Sequence, residues 1–398
     1  MRSKIFGLAL FALTLGTVIY YPLLKARSID PQPTPVAHII APAGNPKVDV
    51  VFVLDTTGSM SGLIQTAKDK IWSIATTMAS AQPTPEIRIG LVAYRDRGDQ
   101  YVTRVVDLSD DLDSVYATLM DFQAGGGGDS PESVNKALYD AVHNISWSQD
   151  SQAYQVVFLV GDAPPHMDYQ DEVTYPEIVK AATHKGIVIN TIQCGNVTVT
   201  AEPWTQIANL GHGKFFQVEQ AGSAVAMTTP FDAELASLSA RLDDTRLYFG
   251  STEEKEKMAS KVAATDKLHE GSSVESRARR AAFNMSAGGK ANLLGKNDLV
   301  EAITSGTVKL EEVDEEELPA ALKPMAPAEQ VAYVEELAQE RSELQRQMRE
   351  LADDRDGYIS KKVKEAGGYK DSLDQKIYEA AAEQAREAGL EYRDGPEY

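Results

Sequence analysis

Val50, Val51, Phe52, Val53 and Leu54 run on without a polar side chain and end at once in Asp55-Thr56-Thr57-Gly58-Ser59. A short apolar run of β-branched and aromatic residues suits a strand covered on both faces, and such strands belong to parallel sheets sandwiched between helices. Similar runs recur at 87–94, 101–106, 154–160, 187–192 and 214–218. Segments long enough for helices lie between most of them, at 62–79, 112–122, 131–145, 175–185 and 201–210. This alternation predicts a doubly wound, mostly parallel α/β sheet over residues 47–248. In open sheets of this kind ligands bind beyond the carboxyl ends of the strands, where Asp55 stands.

The chain around this unit divides by composition. Residues 1–27 hold Arg2 and Lys4, then an uncharged run of 20 residues from Ile5 to Leu24, then Lys25 and Arg27. That length can span a bilayer, and no clean cleavage site follows it. The expectation is an uncleaved membrane anchor that places the remainder on the extracytoplasmic face, periplasmic or cell-surface; secretion after cleavage is the alternative. Residues 28–46 carry Pro31, Pro33, Pro35, Pro42 and Pro46 and read as an extended tether. Residues 249–325 form an acidic, partly helical linker region with a run from Glu311 to Glu317, read as a solvated face.

Residues 326–398 predict a helical hairpin or short coiled coil. Leu337, Arg341, Leu344, Met348, Leu351, Arg355 and Tyr358 follow alternating steps of three and four, with Pro327 suited to a first turn. This series would either pack on a second helix near Leu373, Ile377 and Ala381 or join a second copy of the chain. With 59 acidic against 39 basic residues the net charge is -20, which repels nucleic acid and disfavours it as a partner. Cys194 is the only cysteine, so there is no internal disulfide and no cysteine-rich zinc site, and it reads as a small core hydrophobe. Gly125 to Gly128 lack the Lys-Ser or Lys-Thr pair of a phosphate-binding P-loop.

The chemistry concentrates after the first strand. Asp55, Thr57 and Ser59 offer a carboxylate and two hydroxyls from one tight loop, and hard divalent cations prefer such oxygen donors. Asp129, after the glycine run, and Asp162, after the strand ending at Val160, stand where they could add oxygens at the same sheet edge. Ser130 is a further metal candidate or, alternatively, a cap for a helix starting at Pro131. Tyr94, Arg95, Asp96 and His166 are candidates for a partner-contacting rim. Arg97-Gly98-Asp99 reads as a charged loop rather than a recognition tripeptide.

With these residues in this order the sequence resembles the von Willebrand factor A family over roughly residues 47–220. That family's metal-ion-dependent adhesion site uses an Asp-x-Ser-x-Ser loop, a threonine and a second aspartate. The resemblance maps Asp55, Thr57 and Ser59 onto the loop and Asp162 onto the later aspartate. At the threonine position the chain departs from the pattern and offers Asp129 or Ser130. The resemblance implies Mg²⁺, or another divalent cation such as Mn²⁺ or Ca²⁺, and a protein partner that presents a carboxylate to it. A non-enzymatic binding protein is therefore expected. The alternatives are a metal-dependent hydrolase with His166 or Asp96 as general base, and an envelope scaffold whose metal only stabilises the fold.

Overall fold

The computed structural model describes residues 45–128, 130–221, 227–365, 372–392 and 395. The expected anchor and most of the tether lie outside the described residues. Among those described, no helix is long and apolar enough to cross a membrane.

β1 (Lys47–Asp55) is the spine of the fold. Its alternate side chains serve two separate cores: Val48, Val50, Phe52 and Leu54 enter one, Val51 and Val53 the other. This is the period-two consequence of a strand covered on both faces, and it explains why the run tolerates no polar residue. β1 pairs in parallel with β2 (Glu86–Tyr94) on one side and β4 (Tyr154–Gly161) on the other. β5 (Ile187–Cys194) and β6 (His212–Val218) continue the sheet in parallel, while β3 (Thr103–Ser109) closes the opposite edge antiparallel to β2. The six strands run in the order β3-β2-β1-β4-β5-β6, so Asp55 and Gly161 end neighbouring central strands.

One face is covered by α1 (Ser61–Ala79), through Leu63, Ile64, Ile71, Trp72 and Met78, and by α2 (Leu112–Met120), through Val115, Tyr116 and Leu119. The other is covered by α3 (Val134–His143), α4 (Tyr175–His184) and α5 (Thr198–Leu210). Most elements fall where the hydrophobic runs place them, apart from β3, which lies at Thr103–Ser109 rather than 101–106, and two helices whose starts shift. α3 begins at Val134, not at Pro131, because Glu132 N–H donates to the Pro164 carbonyl (3.0 Å) and the Glu132 carbonyl accepts from His166 N–H (3.1 Å). Those bonds pin the segment to the end of β4 before the helix can start. Ser130 is thus not its cap; Ser133 holds the N-cap position. α5 starts at Thr198, with Pro203 inside it, because Thr200 Oγ1 and Trp204 Nε1 bond the carbonyls of Asp162 and Ala163 at 2.9 Å each.

The C-terminal half packs onto the α/β unit. α6 (Asp232–Asp243), α7 (Thr252–Gly271), α8 (Val274–Met285), α9 (Lys290–Leu294) and α10 (Leu299–Thr304) precede the 39-residue α11 (Pro327–Glu365). α11 packs on α6, α8 and α10 within the same chain. The two arginines that interrupt its apolar series are buried in ion pairs: Arg341 with Asp298 at 2.6 Å and Arg355 with Asp232 at 2.9 Å. Leu373, Ile377 and Ala381 of α12 (Leu373–Gln384) do not line α11; they join the sheet-side core beneath α1. Most of the acidic run from Glu311 to Glu317 is exposed, in keeping with a solvated face.

Buried polar contacts stitch the two halves together. Arg280 on α8 bonds Asp113 on α2 (2.7 and 2.6 Å) and Asp243 on α6 (2.7 and 3.2 Å). Asp113 also accepts from Thr265 and Asn292, so its carboxylate is fully engaged.

Candidate functional site

The loop after β1 is organised by the Asp55 carboxylate. Asp55 Oδ1 accepts from Thr57 N–H (2.9 Å) and Thr57 Oγ1 (2.6 Å), and Thr57 Oγ1 lies 3.3 Å from Ser59 Oγ. Asp55 is 0% exposed and Thr57 2%, whereas Ser59 faces solvent. Asp55 Oδ2 is buried with no hydrogen-bond partner among the described residues. A buried acceptor left without a donor costs free energy of the order of 1–3 kcal/mol, more when charged, which makes this oxygen a candidate ligand atom.

Gly161, at the end of β4, allows the two strand ends to approach: a Cβ there would lie 2.9 Å from Asp55 Cβ and 3.0 Å from Asp55 Oδ2. Asp162 follows, half-buried, its Oδ2 accepting from Gln220 Nε2 (2.7 Å), which also stands 3.4 Å from the Ser59 carbonyl. Tyr94, at the end of β2, is fully buried, its hydroxyl has no hydrogen-bond partner among the described residues, and its ring belongs to the core beneath the site rather than to a rim.

Glu132 is the residue that sequence reasoning missed. It is 3% exposed, and its Oε2 has no hydrogen-bond partner among the described residues. A Cβ on Gly127 would lie 2.8 Å from Thr57 Cβ and 3.0 Å from Glu132 Oε1, so Thr57 and Glu132 converge on that glycine, whose φ is +71°. The available signal was a second acidic residue directly after Pro131, three positions beyond Asp129. Ser130 is exposed, and Asp129 lies outside the described residues.

Burial pushes the Asp55 carboxyl up to about 7; the Thr57 bonds partly offset this and the Asp162 charge adds to it. Burial, reinforced by the charges of Asp55, Asp96, Asp99 and Asp162, pushes Glu132 up to about 9. Two carboxyls facing each other without a cation resist ionising together. A divalent ion would remove that frustration, and it would accept the oxygens that now lack donors. The donor set fits such an ion: two buried carboxylates, two hydroxyls and the nearby Asp162. Among the described residues no three His, Cys, Asp or Glu side chains already stand at metal-holding distances from one another.

The remaining rim candidates are engaged in internal contacts. Arg95 is buried and braces the glycine loop, donating to the carbonyls of Thr56 (3.1 Å) and Gln123 (2.6 Å). Asp96 accepts from Ser133 Oγ (2.7 Å) and Tyr169 hydroxyl (2.9 Å). His166 stacks on Tyr169, with Nδ1 2.7 Å from Asp168 and Nε2 3.3 Å from Asp96, so both ring nitrogens are engaged. Arg97 pairs with Asp171 and Glu172, and Asp99 accepts from Gly127 N–H (3.1 Å), so the Arg-Gly-Asp tripeptide is spent on internal contacts. Exposed apolar side chains follow β4 and β5: Met167 (52%) on the loop after β4, Val197 (45%) at the N-cap of α5 and Val199 (68%) in its first turn.

The model of the von Willebrand factor A domain family matches residues 49–228. An ariadne-like RING finger protein of Acanthamoeba polyphaga mimivirus is 29% identical over 122 residues, and the alpha-protein kinase vwkA of Dictyostelium discoideum 29% over 121. Each match covers 30% of this chain but only 11% and 19% of those proteins' own lengths. Among solved structures, the VWA domain of SpRpn10 aligns over 45% of this chain and 91% of its own, with 14% identity and a TM-score of 0.35. Proximal thread matrix protein 1 of the mussel byssus, in a form with a zinc-occupied MIDAS motif, aligns over 44% of this chain and 42% of its own, with 16% identity and a TM-score of 0.34. With a mostly parallel sheet whose central strands end in Asp55 and Gly161, residues 49–228 of this chain belong to the von Willebrand factor A domain family.

Proposed function

We propose that the Asp55 loop is a metal-ion-dependent adhesion site that binds a divalent cation, Mg²⁺ in the first place and Mn²⁺ or Ca²⁺ as substitutes, and through it grips a carboxylate on a protein partner. The observation that carries this reading is the pair of buried carboxylates, Asp55 and Glu132, each with one oxygen lacking a donor. Asp55, Thr57, Ser59, Glu132 and Asp162 would hold the ion. Asp129 is retained as a further donor, with Ser130 as its alternative. When bound, the ion supplies an electrophilic centre that an incoming carboxylate can join.

The chain's own residues do the rest. Thr57 orients Asp55, Arg95 and Asp99 fix the glycine loop, and Gly161 keeps the approach to Asp55 Oδ2 clear. Met167, Val197 and Val199 offer apolar area beside the polar site, the mixture expected at a protein interface. The protein is a binding module rather than an enzyme, held by residues 1–46 on the extracytoplasmic side of a membrane, and copies of the chain meet through their C-terminal helices.

The test is capture of a partner by crosslinking on intact cells in Mg²⁺, repeated with chelator and with Asp55→Ala. Capture that persists undiminished in both would overturn the proposal. Gln220 provides a finer check, because its Nε2 occupies Asp162 Oδ2. Removing one exposed hydrogen bond to a charged group frees that oxygen at a cost of under about 1 kcal/mol, so Gln220→Ala should tighten divalent binding by roughly 2–5-fold in calorimetric titration. Weaker binding would mean that Gln220 positions Asp162 for the ion instead of competing with it.

A further inference from the structure

A second polar site lies on the other side of α1, in a pocket of about 290 Å³ between α1, α8 and α11. Ser73 and Thr76 on α1 stand roughly 20 Å along the helix from the Asp55 loop, at about 1.5 Å per residue. Arg279 and Arg355 line the pocket and are 3% and 2% exposed.

Their hydrogen bonding is incomplete. Arg279 Nη1 donates to the Asp69 carbonyl at 2.9 Å, but its Nε and Nη2 have no partner among the described residues. Arg355 Nε donates to Asp232 at 2.9 Å, while its Nη2 is unpartnered. Nε and Nη2 form one edge of the guanidinium, the edge that receives two oxygens of one carboxylate or phosphate. Elsewhere in this chain that edge is filled: Arg88 gives it to Asp49 (2.8 and 2.7 Å) and Arg280 to Asp113 (2.7 and 2.6 Å). In Arg279 it is open among the described residues.

Charge points the same way. Lys70 pairs with Asp374 at 2.9 Å and Arg355 with Asp232, whereas Arg279 makes no ion pair among the described residues and feels Asp374, Asp69 and Asp232 only at longer range. Arg349 adds an exposed positive charge at the mouth, which Asp353 and Asp356 also line. Neither of these carboxylates hydrogen-bonds Arg279, and Asp356 lies 4.0 Å from Arg355 Nη1.

We propose that this pocket binds a small oxyanion, a phosphate or a carboxylate group, received by the Nε and Nη2 edge of Arg279 and by Nη2 of Arg355. It is separate from the Asp55 site and does not depend on a metal there.

The experiment titrates the full chain with inorganic phosphate and, separately, with acetate, by calorimetry and thermal unfolding, in chelator and against sodium chloride of equal ionic strength. Saturable binding and a rise in Tm with at least one anion are expected, and which anion acts distinguishes the two ligand classes. Arg279→Lys, which keeps the charge but loses the fork, should weaken that binding at least ~10-fold. Circular dichroism verifies its fold, and if it does not fold, exposed Arg349→Gln should still weaken binding about 2–5-fold. The proposal is overturned if neither anion acts beyond chloride or if folded Arg279→Lys binds as tightly as the parent. Should Arg279→Lys not fold, undiminished binding by Arg349→Gln overturns it. Binding that emerges only when Asp353 and Asp356 are both changed to Asn also overturns it, because the arginines would then be serving the chain's own carboxylates.

Discussion

Glu132→Gln is expected to weaken divalent-ion binding by about 100-fold or more while leaving the metal-free protein at pH 7 at least as stable as the parent. The two halves of this result have one cause. With its carboxyl pushed up to about 9, Glu132 is largely protonated at pH 7 when no cation is near, and glutamine imitates that neutral form. A bound cation needs the ionised carboxylate, which glutamine cannot supply.

The sign of the pH dependence follows from the same shift. Carboxyls whose values are raised in the folded state contribute most below their unfolded values, near 4, and lose that contribution as pH rises through about 7 for Asp55 and about 9 for Glu132. The metal-free parent should therefore become less stable from pH 5 to pH 9, and the stabilisation by Mg²⁺ should grow over the same interval. Glu132→Gln should flatten the upper part of both curves. Thermal unfolding across pH, with and without Mg²⁺, measures all of this. A variant that keeps parental ion affinity would remove Glu132 from the site.

Arg280→Ala should be the most destabilising single change in the helical half, costing about 3–5 kcal/mol, because it strands Asp113 and Asp243 as buried charges without their shared partner. Both carboxyls are buried, and the Arg280 guanidinium is the foremost charge holding them below the usual carboxylate range, aided by Lys261 at Asp113 and Arg246 at Asp243. Groups lowered in this way stabilise above their unfolded values, near 4, and that contribution drains away as pH falls toward the folded values. The parent should lose stability steeply below pH 4, and Arg280→Ala should show a shallower acid limb from a lower plateau. Urea unfolding at pH 7 and pH 3.5 separates the two. Equal acid slopes would show that other carboxylates dominate the acid response.

The features legible in the sequence share a short range. Val50 to Leu54 read as a doubly covered strand because period-two alternation and apolar content are local, and β1 does divide its side chains between two cores. Asp55 and Thr57 read as a pair because only Thr56 lies between them, and they do bond. Glu132 was not legible, since its burial depends on bridging to Pro164 and His166 and on contact with Gly127. Arg341 and Arg355 read as breaks in a helical seam, because their partners Asp298 and Asp232 lie 43 and 123 residues away in sequence.

By itself, then, the sequence determined the doubly wound α/β unit, the strand end that carries Asp55, and the oxygen chemistry of the loop, since hydrophobic period and turn composition act between near neighbours. Only the tertiary structure decided that Glu132 faces that loop with an unpartnered oxygen, that the helical half is fastened to the α/β unit by buried ion pairs, and that the forked edge of Arg279 was left open. Each of these depends on desolvating charged groups against particular distant partners, and that energy exists only once the chain has folded.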